Sequence, residues 1–456
     1  MKKYVIFKKN TSFLKNIITF QPFMRRGFTV RVRILRGEGA EICYFFIIPV
    51  YISIFADYSG LMSLHSKIYG FLKMPFFHRY GTLLSLWMLI PVIAWITKII
   101  PGKYNNFLIF RNVFWHTWNG QPLYIPYPQE YHDINHYGPF FSMVIAPFAV
   151  VPLWLGLLAW LAGLSYLLYR AVRFFPVEKR NRIFIYWFCA HELLTAIFMS
   201  QFNVAIAAII IITYAALEKE KEWLAALMIV LGAFVKLYGV VGLAFFFFSR
   251  HKVKFVGYGI LWSVVAFCLP MLIASPSFII EQYTAWFQDI LGKNSGNMFA
   301  VMQNVSLLGM VRKISLEPHY SDMYLILGGL VLFALPYLRI KQYKYAAFRQ
   351  TILASVLLFV VLFSTGSESS SYIIALCGAA IWYTSAPWKR GAWDIGLMVF
   401  AFILTSMSPS DLFPRYLKTH YVYPYALKAL PCVLIWLKLC YELCLKEYGG
   451  REIKTS

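Results

Sequence analysis

An all-α, polytopic transmembrane helical bundle of about twelve spans with long external loops is the fold class this sequence predicts, and three observations predict it. The 456 residues are 60% hydrophobic and only 14% charged, against roughly 45–50% apolar and 25% charged in soluble domains. Apolar runs near bilayer-crossing length recur along most of the chain, and in hydrocarbon such runs satisfy their backbone only as helices. Lys and Arg gather in alternate linkers between the runs rather than on one amphipathic face. The formal charge of +23 is thus explained by the positive-inside rule, and nucleic acid is not an expected partner.

The elements follow in order. The first 36 residues carry ten Lys or Arg and no acid, and 42–55 is a short apolar stretch containing Pro49. No A-x-A-like cleavage site follows it, so 1–82 reads as a basic cytoplasmic lead-in, with Met62 and Met74 as alternative starts. Spans are expected at 83–100, 153–170, 183–200, 203–217, 223–234, 237–248, 254–274, 323–339, 346–364, 372–386, 392–408 and 421–444, within a bundle over 83–445. A cytoplasmic tail, 446–456, ends the chain. The 223–248 segment is only 26 residues long and Lys236 interrupts it, which suits a re-entrant pair of half-helices lining a polar cavity. Residues 139–152 are apolar but broken by Pro147, as in an interfacial helix.

With the N-terminus inside, linkers 170–182, 218–222, 250–254, 339–349 and 389–390 are cytoplasmic and hold sixteen Lys or Arg. The opposite side receives 103–138, 275–322, 365–371 and 409–420, nearly three times longer in total yet holding seven. Both termini are then cytoplasmic. The seven cysteines form no CxxC pair and no Cys/His spacing that holds a metal, so they are packing residues. No Walker A sequence, Rossmann glycine fingerprint or HExxH occurs, which leaves ATP hydrolysis and zinc proteolysis without support.

The external loop 103–138 is dense in Tyr, Trp, His and Asn, rings and amides that suit sugar faces and membrane interfaces alike. Glu130 and Asp133 are the only carboxylates between Asp57 and Glu178, flanked by Tyr131, His132, His136 and Tyr137. Sugar transfer with inversion needs one carboxylate to take the acceptor's proton, and a phosphate leaving group needs no strong general acid. Asp133, between two histidines, is the preferred base and Glu130 the second candidate; solvated loop acids are the plain alternative. Lys236, inside an apolar segment, suits a carrier phosphate, or else snorkels to the interface. Gln201 and Asn203 mark an outer turn where amides bind hydroxyls or cap helices. Asn304, Ser306, Arg312 and Lys313 bear polar groups and cations in the second long loop, with Lys418, His420 and Tyr421 as weaker candidates. His191 and Glu192 are adjacent, face different directions on a helix, and read as structural.

In their order these motifs resemble glycosyltransferase family 87, whose members include polyprenyl-phosphate-mannose-dependent mannosyltransferases of the GT-C fold. The resemblance covers roughly residues 80–440 and rests on NNFLIF, on GQPLYIPYPQEYHDINHYGPFFSMVIAPFAVVP, on Gln201-Phe202-Asn203, on GAFVKLYG around Lys236, and on QNVSLLG with Arg312. It implies an enzyme of the bacterial cytoplasmic membrane with an outward-facing site, a catalytic acid in the first external loop, a donor phosphate held by basic groups and a groove open to the membrane. The implied donor is a polyprenyl-phosphate hexose and the acceptor a lipid-linked or envelope glycan, with membrane lipids as surroundings and no metal or other cofactor required. Three positions depart from the family. Asn106, before Phe107, stands where members often carry the presumed base; Val305 replaces a Gln; and Lys236-Leu237 replaces a lysine-proline pair. Asn106 leaves two rival expectations open, a base relocated to Asp133 or Glu130, or a non-catalytic descendant. A transporter or flippase of lipid-linked sugars is the further alternative.

Overall fold

The computed structural model describes residues 74–449, apart from 297–299 and 318–320. The lead-in through residue 73, with the 42–55 stretch and Met62, and residues 450–456 of the tail lie outside the described residues. Every regular element among the described residues is helical, as an apolar backbone without water requires.

Helix α1 (Tyr80–Ile99) buries Leu83, Trp87, Ile90 and Ala94, spaced three and four residues apart on one face. Pro91 lies inside it, and a proline has no N–H for the carbonyl four residues earlier. That carbonyl, of Trp87, instead accepts from Ser165 Oγ at 2.6 Å, which ties α1 to α4 (Leu153–Phe174). Between them lie α2 (Asn105–Trp118) and the short α3 (Phe141–Ala149) with Pro147 inside. Helices α5 (Lys179–Phe198) and α6 (Asn203–Glu218) follow. Nearly every side chain of α6 is buried, Asn203 among them, so this helix is central.

Helix α7 (Glu222–Lys236) ends at Leu237, in left-handed backbone at φ 51°, and the chain turns straight into a 3-10 helix, Tyr238–Phe248. The two legs touch through glycines. A Cβ added at Gly239 would lie 2.5 Å from Gly232 Cα and 2.5 Å from Ala233 N, so only a residue without one permits this approach. The tight turn puts Lys236 at the tip of a helical hairpin.

Helices α8 (Lys252–Cys268), α9 (Pro276–Gly296), α10 (Leu307–Ser315) and α11 (Met323–Ala334) come next. Helices α8 and α11 leave most side chains uncovered, as suits apolar helices bordering lipid. Helices α12 (Ala346–Leu362) and α13 (Tyr372–Ser385) pack closely together and are buried on nearly all sides. Helix α14 (Ala392–Phe400) continues into a π-helical segment, Ala401–Met407, and α15 (Leu430–Leu445) closes the order.

Among the described residues, three helical segments are long and apolar enough to cross a bilayer, Tyr80–Ile99, Leu153–Phe174 and Lys252–Leu272. Five shorter apolar segments, including Asn203–Glu218 and Ala346–Leu362, have 10–17 residues; at 1.5 Å per residue these fall short of a hydrocarbon core about 30 Å thick. The fold is therefore an apolar, all-helical membrane bundle, and the number of its crossings belongs to the proposed topology.

The linkers sort into two sets that bond within themselves. Arg349 grips Glu218 through two nitrogens at 2.6 and 2.7 Å, Arg250 pairs with Glu220 at 2.5 Å, and Arg390 meets Glu442 at 2.9 Å. At the other set, Gly138 N–H donates to Val235 O at 3.1 Å and Val305 N–H to Ser367 O at 2.7 Å. Lys428 donates to Ser369 O at 2.9 Å. This second set joins the loops that carry the candidate residues.

Candidate active site

The loop before α3 is pinned at both ends. Asn105, at the start of α2, holds the backbone of His132 with its amide, donating to the carbonyl at 2.7 Å and accepting from the N–H at 2.8 Å; the His132 side chain is exposed. Asn106 Nδ2 donates to Met199 O at 2.9 Å, two residues from Gln201. Glu130 Oε2 accepts from Asn112 at 2.8 Å and from His116 Nε2 at 2.9 Å. The His116 ring lies 4.0 Å from that of Tyr127, and burial lowers its pKa despite Glu130. A neutral His116 thus donates to Glu130, while burial and then Glu130 push the Tyr131 hydroxyl well up. One Glu130 oxygen is committed to structure.

Asp133 differs. Its φ is 80°, its side chain is 70% exposed, and Oδ1 accepts from the N–H of Ile134 at 2.9 Å. His136 Nε2 stands 4.0 Å from that oxygen. The other imidazole nitrogen, Nδ1, is bonded at 2.8 Å to Asp289 Oδ2 on α9, with the two side chains 24% and 10% exposed. Trp286, one turn before Asp289, donates to the His136 carbonyl at 3.1 Å.

Tyr137 joins this segment to the interior. Its hydroxyl accepts from Phe202 N–H at 3.3 Å, Tyr124 and Asn135 donate to its carbonyl at 2.8 and 2.9 Å, and burial holds its phenol well above the usual range. Lys236 Nζ sits 5.9 Å from the Tyr137 ring centre and 5.0 Å from that of Tyr238, within reach of a cation–π attraction.

From Lys236 a chain of hydrogen bonds runs in one direction. Lys236 donates to Asn203 Oδ1 at 2.7 Å, Asn203 Nδ2 donates to Gln201 Oε1 at 2.9 Å, and Gln201 Nε2 donates to Glu368 Oε2 at 2.6 Å. Ser370 Oγ bridges, accepting from Asn203 at 2.9 Å and donating to Gln201 at 2.8 Å. An ammonium only donates and a carboxylate only accepts, so the two charges fix the orientation of both amides between them.

The loop 364–371 is the hub. Ser364 bonds the Tyr238 hydroxyl at 2.8 Å, Ser367 O receives Val305, and Ser369 receives Lys428, itself paired with buried Glu192 at 2.8 Å. Asn304, at φ 49°, accepts from Ser306 at 2.7 Å, and Ser306 caps α10 through Gly309 N–H at 3.0 Å. Arg312 is buried on α10 and pairs with Asp322 at 3.0 Å, and Lys313 donates to Gln303 O at 2.9 Å. His191 bonds Ser406 at 2.9 Å.

Tyr137, Gln201, Asn203 and Lys236 therefore share one network. His136 and Asp133 adjoin it through Tyr137, and Asn304 and Ser306 through Val305. Asn106, Glu130 and His132 lie on the α2 side, while Arg312 is engaged by Asp322. Asp133, Ser200, Leu237 and Asn304 all hold positive φ, a backbone cost of roughly 1–3 kcal/mol each that tends to cluster at functional sites. Among the described residues, no three His, Cys, Asp or Glu side chains gather in a metal-holding group.

Two carboxylates here escaped the sequence reading. Glu368 is the only acid between Asp322 and Asp394, a signal that was present in the short loop between two apolar runs. Asp289 carries no such mark, because it is one of several acids in a long loop. Beside the hairpin lies an open apolar groove of about 480 Å³, lined by Ala226, Ile229, Ala233, Phe234, Val240 and Ile260 among others.

An apolar helical bundle with a cation, amides and carboxylates gathered at linked loops defines a membrane protein with a polar reaction or binding site. The model of glycosyltransferase family 87 matches residues 135–365, about half of the sequence, and the chain belongs to that family. Family membership implies a glycosyltransferase. The match spans Asn135 to Thr365, so it takes in His136, Tyr137, Gln201, Asn203, Lys236, Asp289, Asn304, Ser306 and Arg312 but neither Asn106, Glu130, Asp133 nor Glu368. No curated protein and no solved structure matches the chain.

Proposed function

We propose that the chain transfers a hexose, mannose first among candidates, with inversion from a polyprenyl-phosphate donor to a lipid-linked or envelope glycan. The site lies on the outer face of a bacterial cytoplasmic membrane crossed about twelve times. The observation that carries this reading is the placement of Lys236, at a hairpin tip, bonded to Asn203 and beside the loop bearing Asp133. The scarcity of Lys and Arg in the loops of this linked set supports an outer location for all of them.

In this reading Lys236 neutralises the departing polyprenyl phosphate, so no metal is required for that charge. The prenyl chain lies in the apolar groove that begins at Phe234, two residues before Lys236. The half-buried Gln201 meets sugar or phosphate oxygens, with the buried Asn203, Asn304 and Ser306 holding the loops behind it and the Arg312–Asp322 pair bracing α10. Asp133 takes the acceptor's proton; Glu130, whose Oε2 is engaged by Asn112 and His116, is the second candidate. Asn106, an amide bonded to Met199 O, cannot accept it.

The test is sugar transfer by the purified full chain in lipid nanodiscs, using a labelled polyprenyl-phosphate mannose. New glycosidic product is expected, with Asp133→Asn and Lys236→Met each lowering the rate about 10²-fold or more. Label that crosses the membrane without forming a glycosidic bond would identify a flippase instead. Full activity in both Asp133→Asn and Glu130→Gln would remove the base assignment.

A further inference from the structure

We propose that His136 and Asp289 form a proton-accepting pair behind Asp133, with His136 as a positioning and relay residue for the transfer. The inference deepens the proposed glycosyl transfer and rests on it. The Asp289 carboxylate accepts from His136 Nδ1 at 2.8 Å, which fixes the tautomer with hydrogen on Nδ1 and leaves a lone pair on Nε2. Nε2 then stands 4.0 Å from Asp133 Oδ1, too far for a direct hydrogen bond and suited to one bridging hydroxyl or water.

The neighbours of His136 strengthen this arrangement. Asp133 lies on its own segment and Asp289 on α9. The Tyr124 hydroxyl, kept protonated by burial and then by Asp289, donates to the next residue's carbonyl, and Tyr283 of α9 is likewise raised by burial. Lys236 on α7 lies 5.9 Å from the ring centre of the adjoining Tyr137. Trp286 fixes the His136 carbonyl from α9, so backbone and ring are both held.

In the step itself the acceptor oxygen bonds to C1 of the donor while the C1–O bond to phosphate breaks, its electron pair leaving on the polyprenyl phosphate. The hydroxyl proton goes to Asp133 and on to His136 Nε2. Passage of the proton to Nε2 restores Asp133 as the base for the next turnover. The imidazolium keeps its Nδ1–H on Asp289, whose charge compensates it.

The experiment compares wild type, His136→Asn and Asp289→Asn in the nanodisc transfer assay across pH 5–9. An asparagine at 136 keeps a donor for Asp289 but has no Nε2; an asparagine at 289 turns the imidazole to the wrong tautomer. Each variant is expected to lose about 10- to 100-fold in kcat with donor KM unchanged, and the pH profile of kcat in His136→Asn is expected to differ in shape from that of wild type. Wild-type kcat and an unchanged pH profile in both variants, with Asp133→Asn inactive, would overturn the relay and leave the glycosyl transfer standing. A wild type that forms no glycosidic product would remove both.

Discussion

Replacing Gly239 by Ala tests whether the hairpin glycines set the aim of Lys236. The added Cβ would lie 2.5 Å from three backbone atoms, Ala233 N, Gly232 C and Gly232 Cα. Backbone cannot swing aside as a side-chain end can, so the legs must part by roughly 1 Å to restore van der Waals separation. Lys236 sits three residues before the substituted position, and its bond to Asn203 is 2.7 Å; a shift of about 1 Å carries that pair past hydrogen-bonding range. Overpacking of this kind costs about 1–3 kcal/mol, and a misplacement of about 1 Å can cost 10²-fold in rate. Gly257→Ala is the internal control, since a Cβ there meets nothing within 4 Å and an Ala in a helix gains up to about 1 kcal/mol over Gly. Thermal unfolding in nanodiscs and labelled-sugar transfer are measured on both. Expected is a destabilised, slow Gly239→Ala beside a normal Gly257→Ala. Equal stability and equal rates in the two variants would refute the reasoning.

Two further outcomes follow from buried charges. Lys428→Met leaves Glu192 buried without its 2.8 Å partner and releases Ser369; it is expected to destabilise by about 3–5 kcal/mol, with much of the loss recovered in Lys428→Met/Glu192→Leu, as thermal unfolding of the three proteins will show. No recovery in the double variant would mean that the Ser369 bond, not the ion pair, dominates. Burial lowers Lys313 from 10.5 to about 8. An unfolded chain then binds more protons than the folded one between those values, so stability rises with pH through that window and the burial penalty is fully present below it. Unfolding temperature measured from pH 7 to 10 should climb more steeply in wild type than in Lys313→Met, and parallel curves would count against the assignment.

Sequence alone determined the class of this protein. Run length, composition and the split of Lys and Arg between linkers are one-dimensional properties, and they suffice to specify an apolar helical bundle. The family was likewise legible, because NHYGP, Gln201-Phe202-Asn203 and GAFVKLYG keep their order along the chain and lie within the matched segment. So was the break at Lys236, where a charge interrupts an apolar run too short for two spans.

Tertiary structure decided which polar groups meet. Glu368 lies 132 residues from Lys236 in sequence and closes the same chain of amides, and Asp289 lies 153 residues from the histidine it orients. Glu368 stands out in sequence as a lone acid between apolar runs, but no local pattern pairs it with Lys236 or Asp289 with His136, since helices packed side by side bring together loops whose sequence separation carries no information. Glu130 and Asp133 look alike in the sequence, both acids in one loop. The fold separates them, because Asn112 and His116 stand one helical turn apart on α2 and grip Glu130, whereas a left-handed backbone turns Asp133 outward beside His136. The sequence thus determined the solvent and the family of this protein, and only three-dimensional packing decided which of its charges are engaged by neighbours and which stand exposed.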